Sequence, residues 1–528
     1  MPMSPRAFLV LLFLLPRSEP VADSMIREER EHSRVMEYLD HLTNTIGPRL
    51  TGSTNLDRAC EWARREFGKM GLKVRLEEWG SFPVGFDRGP WSAKMTAPEI
   101  LPLTIGFNAW SAGTRGPVTG PAILAPTSDQ ELISMKEKLK GAWVISSERE
   151  SEKYRVAYDE AGSAGVIRTE GDELIHTRGD PRIEEGKLPR RVTVTMLGSE
   201  HQKIVNLLKS GKDVQLTIDI DVRFRKGPIP LYNVIAELPG SEKPDELVIV
   251  GGHLDSWDGA TGATDNGTGV CSTLEAARLL TVAGAKPRRT IRFMLWSGEE
   301  QGLQGSRAYI KAHPEETPKI SAVLVHDGGT NYVSGIHALD SMVPLFEEGL
   351  ERLRSLDAEM KFTIRKVGGL PFGIGSDHDS YLSVGVPGFH WLQSGRADYF
   401  FGHHTQNDTF TLVIPEYQRH TSLVVAIGAL GIADLPDLLP RTGLRAMRMN
   451  RKSLGARLND EMQVVELAKD GAAEKAGLML GDKVVKMNGQ PLEDSFALGQ
   501  ALKSTPKEAT LLVQREGNEQ RIVITFPD

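Results

Sequence analysis

The stretch ELVIVGGHLDSWDGATGATDNGTG, residues 246–269, opens with an unbroken apolar run, Leu247 to Val250, bounded on its far side by two glycines. It is too short for a helix and lacks the polar alternation of a half-exposed strand, so it reads as a strand buried on both faces. Such strands belong to parallel or mixed sheets covered by helices. In open α/β sheets the ligand site lies beyond the carboxyl ends of the strands, and there stand His253, Asp255 and, in the glycine-rich loop behind them, Asp265. The run offers half of a metal site.

Other segments of the same texture offer the remaining ligands. TIRFMLWS (290–297) leads into Gly298, Glu299 and Glu300; ISAVLVH (320–326) leads into Asp327; VPGFHWL (386–392) precedes YFFGHHTQNDT (399–409), which holds His403 and His404. Singly these are weak signals, because a lone His-x-Asp is more often a hydrogen-bonded surface pair and adjacent glutamates more often a solvated helix face. Their joint occurrence at the ends of separate strands points to one rim. Imidazole and carboxylate donors suit zinc or a related divalent ion, and a carboxylate can bridge two of them. Three carboxylates against two zinc ions leave one positive charge, which a bridging hydroxide balances, and one glutamate is left over as a base.

Composition bounds these readings. A chain of 528 residues exceeds one core at roughly one domain per 150 residues. Acidic residues outnumber basic ones by 70 to 63, for a net charge of −7, which argues against a dominant nucleic-acid role. Two cysteines, Cys60 and Cys271, build neither a disulfide scaffold nor a thiolate zinc cage, so any metal must use His, Asp and Glu; Cys271 reads as a small buried helix residue. At the N-terminus Arg6 precedes AFLVLLFLLP (7–16), too short for a permanent span and suited to a secretory signal over residues 1–24, with Ala22 to Ser24 as a weak cleavage site. No other segment is apolar enough to span a membrane, so a soluble protein outside the cytoplasm, secreted or periplasmic, is expected.

Texture divides the rest. Residues 29–42 and 55–72 carry helical apolar spacing, and KVRLEEW (73–79) alternates as a strand does. From 85 to 225 short β-like pieces such as PAILAP, GAWVISS and RVTVTML alternate with glycine and proline turns, which predicts a β-rich insertion. Residues 25–84 and 226–438 then form one α/β unit, a mixed, mostly parallel sheet flanked by helices. An arginine-rich connector leads to a separate domain at 445–528.

The motifs GGHLDSWD, GATDNGTG, SGEEQGLQGS, VHDGG, GSDHDSY and HHTQNDT resemble the family of co-catalytic dizinc exopeptidases that includes bacterial secreted aminopeptidases and the plasma glutamate carboxypeptidase (carboxypeptidase Q) type. The resemblance covers about residues 30–438. It implies that His253, Asp265 and Asp327 hold one zinc and Asp265, Glu300 and His404 the other, with Asp265 bridging. It makes Glu299 the general base and has Asp255 orient His253. The family pattern H-T-x-x-D-T selects His404 and leaves His403 as its packing neighbour. His326, one residue before Asp327 in a strand, faces the other way and is read as structural. Ser376, Asp377 and His378 match a family segment near the substrate pocket, where His378 either touches substrate or holds a turn. The insertion resembles a protease-associated domain that shapes access to the site. RKSLGARL, AEKAGLMLGDKVVKMNG and RIVITF resemble a PDZ domain, with Ser453 to Ala456 as a loop for a peptide carboxylate.

Together these imply an exported metallo-exopeptidase with two zinc ions, acting through a bridging hydroxide and a glutamate base. Aminopeptidase or dipeptidase action is the leading expectation, and carboxypeptidase action is the alternative. A binding protein that lost catalysis on the same fold is the rival class; its usual sign is missing ligands, and here every expected ligand is present.

Overall fold

The computed structural model describes residues 19–146, 151–171, 173–444, 447–448, 454–458, 462–468, 471–492, 498, 501–502, 507–515 and 517–526. The chain divides into two compact units, Met1–Leu370 with Ile374–Leu444, and Pro371–Gly373 with Arg445–Asp528. Residues 1–18 of the expected leader lie outside the described residues, and residues 19–24 open the first helix. Among the described residues no helix is long and apolar enough to cross a membrane.

In the larger unit, helices α1 (Glu19–His32) and α2 (Thr54–Lys69) precede the sheet. The helical spacing of 29–42 is interrupted at Ser33 and Arg34: the Ser33 hydroxyl bonds back to Glu29 at 2.6 Å, and the Arg34 N–H goes to the Glu275 carboxylate at 3.1 Å instead of to a helix carbonyl. Helix α2 starts on Ser53, whose Oγ accepts from Leu56 N at 3.1 Å and so caps it.

Ten strands of one sheet follow: β1 (Lys73–Ala97), β2 (Val118–Leu124), β3 (Trp143–Ile145), β4 (Gly165–Arg168), β5 (Thr193–Met196), β6 (Gln215–Leu238), β7 (Lys243–His253), β8 (Arg289–Trp296), β9 (Ile320–Val325) and β10 (Gly388–His390). The catalytic part runs β10-β9-β7-β8-β6, parallel from β10 to β8 and antiparallel at β6. All residues of β8 and β9 are buried, as a strand covered on both faces requires. Helices α3 (Thr268–Val282) and α4 (Pro415–Ala433) pack on each other and on this sheet, and α1 packs on both. Cys271 is buried within α3, and both cysteines are free.

The insertion is not a bead on a linker. β1 and β6 are antiparallel partners from Lys73↔Glu237 to Ala97↔Gln215, with register shifts that include one between Phe82 and Val84, so the proposed boundaries at 84/85 and 225/226 fall inside paired strands. Beyond them β2, β3, β4 and β5 pair in parallel. Parallel neighbours need crossovers, and helices such as Glu152–Ala161 supply them, which gives the insertion more helix than its β-rich texture suggests. It has its own apolar core around Trp143, Ile167, Val194 and Ile218.

In the smaller unit Lys483–Met487, Glu508–Arg515 and Asn518–Thr525 form an antiparallel sheet, and Ala456–Leu458 pairs with Val464–Leu467. Leu454, Val484, Leu511 and Ile524 share its core. Ser453 of the expected carboxylate loop lies outside the described residues.

Candidate metal centre

Strand register brings the first ligands together. His253 ends β7 opposite Trp296, the last residue of β8, so Glu299 and Glu300 follow in the turn beside it. Val325 of β9 lies opposite Gly251, which puts Asp327, two residues on, level with His253. Asp265 arrives from the loop that starts α3. Its approach depends on small residues: a Cβ on Gly269 would sit 2.3 Å from the His326 carbonyl.

Five side chains form two triads that share Asp265. His253 Nε2 lies 3.1 Å from Asp265 Oδ1 and 3.2 Å from Asp327 Oδ1. On the other side His404 Nε2 lies 3.2 Å from Asp265 Oδ2 and 3.0 Å from Glu300 Oε2. Oδ1 of Asp265 thus faces His253 and Oδ2 faces His404. Tetrahedral zinc with bonds of 2.0–2.1 Å places neighbouring donors about 3.3 Å apart, and the donor chemistry suits it. His253, Asp265 and Asp327 gather closely enough to hold an ion, as do Asp265, His403 and His404, with Glu300 beside His404. Glu299 belongs to neither triad, with its Oε2 4.0 Å from His253 Nε2.

The supporting contacts orient the ligands. His253 Nδ1 donates to the Asp255 carbonyl at 2.9 Å, which turns Nε2 toward the site. The Asp255 carboxylate, 3.7 Å from that nitrogen, does something else: it accepts from Thr51 Oγ1 at 2.9 Å and from the backbone N–H groups of Glu299 and Glu300 at 3.3 Å each. Asp255 therefore orients His253 through its main chain and the glutamate turn through its side chain.

His403 and His404 stack at 3.8 Å with planes 22° apart; His403 Nε2 is 3.6 Å from Asp265 Oδ2 and its ring also packs on Tyr399. Only His404 also meets Glu300. His326 turns away and lies 3.0 Å from the Gln393 amide, and burial holds its pKa down to about 4. Ser376, Asp377 and His378 are buried at the start of helix His378–Leu382, with the His378 ring 5.5 Å from that of His390.

Several partners escaped the sequence reading. Asp408 accepts from Thr264 N at 2.6 Å, Thr264 Oγ1 at 2.7 Å and Asp265 N at 3.1 Å. Buried Arg49 donates to the carbonyls of Leu254, Thr261, Gly262 and Gly47 at 2.7, 2.9, 2.8 and 3.3 Å, tying down both ends of the ligand loop. His390 Nε2 donates to the Asp327 carbonyl at 2.7 Å. Asp408 stands in the HHTQNDT run, where an aspartate beside a ligand histidine was a readable signal; Arg49 and His390 had none.

Electrostatics asks for positive charge at two points. Burial opposes protonation of His253, yet Asp327 and Glu299 raise its pKa well above the ordinary histidine value. His404 is raised to about 11, burial again opposing and Glu300 and Asp265 prevailing. Burial also opposes ionisation of Asp265, but hydrogen bonds with both histidines hold its carboxyl well below the usual range. Burial pushes Glu299 well above the ordinary glutamate value and Glu300 to about 7. Carboxylates gathered this closely in a dry site call for cations between them.

Comparison with known proteins finds two matching family models. Residues 233–427 match peptidase family M28, and residues 443–514 match the PDZ domain. Carboxypeptidase Q of Mus musculus is 28% identical over 463 residues, covering 83% of this chain and 94% of its own length. An aminopeptidase of Pseudomonas aeruginosa is 25% identical over 385 residues, covering 67% of this chain and 68% of its own. The crystal structure of a peptidase M28 precursor from Shewanella amazonensis superposes with a TM-score of 0.58 at 27% identity, covering 80% of this chain and 97% of that one. These matches, on both sides of residue 440, identify the chain as a metallo-exopeptidase whose catalytic segment is similar to peptidase family M28 and is followed by a PDZ domain.

Proposed function

We propose that the chain is an exported zinc exopeptidase that hydrolyses the terminal peptide bond of short peptides, as an aminopeptidase or dipeptidase. The observation that carries this reading is Asp265, with one oxygen beside His253 and the other beside His404, next to an uncommitted Glu299. In this reading His253, Asp265 and Asp327 hold one zinc ion, and Asp265, Glu300 and His404 hold the second. Two zinc ions bound there would polarise a substrate carbonyl and acidify a water toward neutrality. Glu299 takes the proton of that water and delivers it to the leaving amine. Its burial, which raises its proton affinity, suits a group that must hold a proton during the reaction. Asp255 keeps the Glu299–Glu300 turn and His253 in register with each other. Export rests on Arg6 and the apolar 7–16 run, and the PDZ unit would take a peptide or protein ligand by strand addition.

A carboxypeptidase specificity is the second reading, favoured because the identity to Carboxypeptidase Q extends over more of this chain than the identity to the aminopeptidase. The test compares free, N-acetylated and C-amidated dipeptides and longer peptides, with and without chelation and zinc restoration. Cleavage of N-blocked peptides as fast as free ones refutes aminopeptidase action, and indifference to chelation refutes the metal mechanism.

A further inference from the structure

The insertion reaches the metal centre, and it does so on one side. Thr177 N donates to the His404 carbonyl at 2.7 Å, and Thr177 Oγ1 donates to the same carbonyl at 3.2 Å. That carbonyl belongs to a residue with φ of +58°, a left-handed conformation that histidine adopts at a cost and that needs support from outside. Next to it Ile175 N donates to Gln406 Oε1 at 2.8 Å, Gln406 N returns to the Ile175 carbonyl at 3.2 Å, and His176 bridges Thr405. A second contact comes from β1, where buried Arg88 lays its guanidinium 3.8 Å from the Phe107 ring and bonds Asp258 at 2.7 Å. Asp258 follows Trp257, whose N–H donates to Glu300 Oε1 at 3.2 Å and whose indole packs between the insertion's core and the His404 ring. Gly259 completes the contact: a Cβ there would sit 1.6 Å from Thr177 Cγ2.

These contacts end on His404, on Thr405 and Gln406 beside it, or on the Trp257–Gly259 stretch, whose Trp257 N–H meets Glu300. The contacts described for His253 and Asp327 come instead from the catalytic sheet and its turns, through Asp255 and His390. We propose that Thr177 and Arg88 are positioning residues through which the insertion sets the affinity of the Glu300–His404 half of the metal centre, while the His253–Asp327 half is set by the core alone. This inference rests on the two-zinc reading above and deepens it: the insertion is a structural part of one metal position as well as a flank of the substrate cleft.

The test measures the stoichiometry and the separate affinities of zinc, by competition with chelators of graded strength, in the full-length wild type, Gly259→Ala, Arg88→Met and the double variant Gly259→Ala/Thr177→Ser. Serine keeps the hydroxyl and removes the methyl that the new Cβ would strike. In Gly259→Ala and in Arg88→Met one zinc binds as in the wild type and the other 10–100-fold more weakly, the usual cost of losing an outer support of a ligand. The double variant recovers part of that loss, because the Cβ of residue 177 still lies 2.9 Å from the new one, and kcat falls with the weaker site and returns with excess zinc. Unchanged affinities in both single variants, or parallel loss of both ions, overturn the inference. If Gly259→Ala does not fold, Arg88→Met carries the test alone. Fewer than two zinc ions in the wild type would refute the two-metal reading itself, a result distinct from either outcome above.

Discussion

Replacing Asp408 by asparagine should weaken both zinc positions together. Its Oδ1 accepts from the amide and hydroxyl of Thr264, and its Oδ2 accepts from the amide of Asp265. Asparagine keeps the volume and can put its carbonyl where Oδ1 was, but its NH2 then points at the Asp265 N–H, and two donors face each other. The opposite rotamer loses two acceptors in place of one. A buried N–H left without an acceptor costs about 1–3 kcal/mol. If that strain is relieved by letting Asp265 move, ligand affinity falls by roughly 5- to 150-fold, at 1.4 kcal/mol per factor of ten. Asp408→Ala, which strips all three donors, should exceed Asp408→Asn.

Because Asp265 offers one oxygen to each triad, the loss should fall on both ions, unlike the one-sided loss expected for Gly259→Ala. The assay is zinc affinity by chelator competition, with thermal unfolding in excess chelator as a control for general damage. An Asp408→Asn protein that binds both ions within about a factor of two of wild type would refute the reasoning, as would a loss confined to one ion.

Glu299→Gln should keep both zinc ions and lower kcat on the order of 10²–10⁴-fold; metal content and steady-state kinetics check it, and near-wild-type turnover with both ions bound would show that Glu299 is not the base. Arg49→Lys should destabilise the catalytic unit by about 2 kcal/mol, since one ammonium cannot reach the four carbonyls that the guanidinium holds, and chemical denaturation measures it. Burial first, and the facing Glu275 second, raise Glu29 from the ordinary 4.5 to about 9. The folded chain therefore holds a proton that the unfolded chain releases, so stability falls as pH rises from about 4.5 toward 9. Glu29→Gln should raise the melting temperature at pH 8 and leave it unchanged at pH 4; an equal shift at both pH values would place the effect elsewhere.

The parts of the site that were legible in the sequence are those that period and strand direction determine. An apolar run such as Leu247–Val250 announces a buried parallel strand, and the next polar residue with metal-binding chemistry falls at its carboxyl end by geometry. His253, Glu299, Glu300 and Asp327 were readable in this way, and His326 was excluded by the alternation of a strand. His404 was different: it follows no strand directly, and choosing it over His403 needed a family pattern. The parts that stayed hidden depend on distant pieces of chain meeting. Arg49 ties carbonyls more than 200 residues away, and nothing in GPRLTGS announces it. The roles of Asp255 could not be divided between its carbonyl and carboxylate without the turn at Glu299 in place. The insertion's texture showed short strands, but parallel pairing, and hence its helices, is a property of strand order, which composition does not carry.

This division of legibility has a physical counterpart in the two triads. His253 and Asp327 inherit their positions from adjacent parallel strands, where backbone hydrogen bonds on both sides fix the register. A site that must hold its donors within about 0.5 Å gets that accuracy from the sheet at no further expense. His404 has no such frame: it sits in a loop, in a left-handed conformation, with its side chain 34% exposed. Its accuracy has to be imposed from outside, and the structure supplies two restraints that the sheet cannot. Asp408, four residues on, grips the Thr264–Asp265 amides, while Thr177, from the insertion, grips the His404 carbonyl. The insertion is held by two paired strands rather than by a linker. The pairing of β1 with β6, shifted in register at four points, is what joins the insertion to the catalytic sheet.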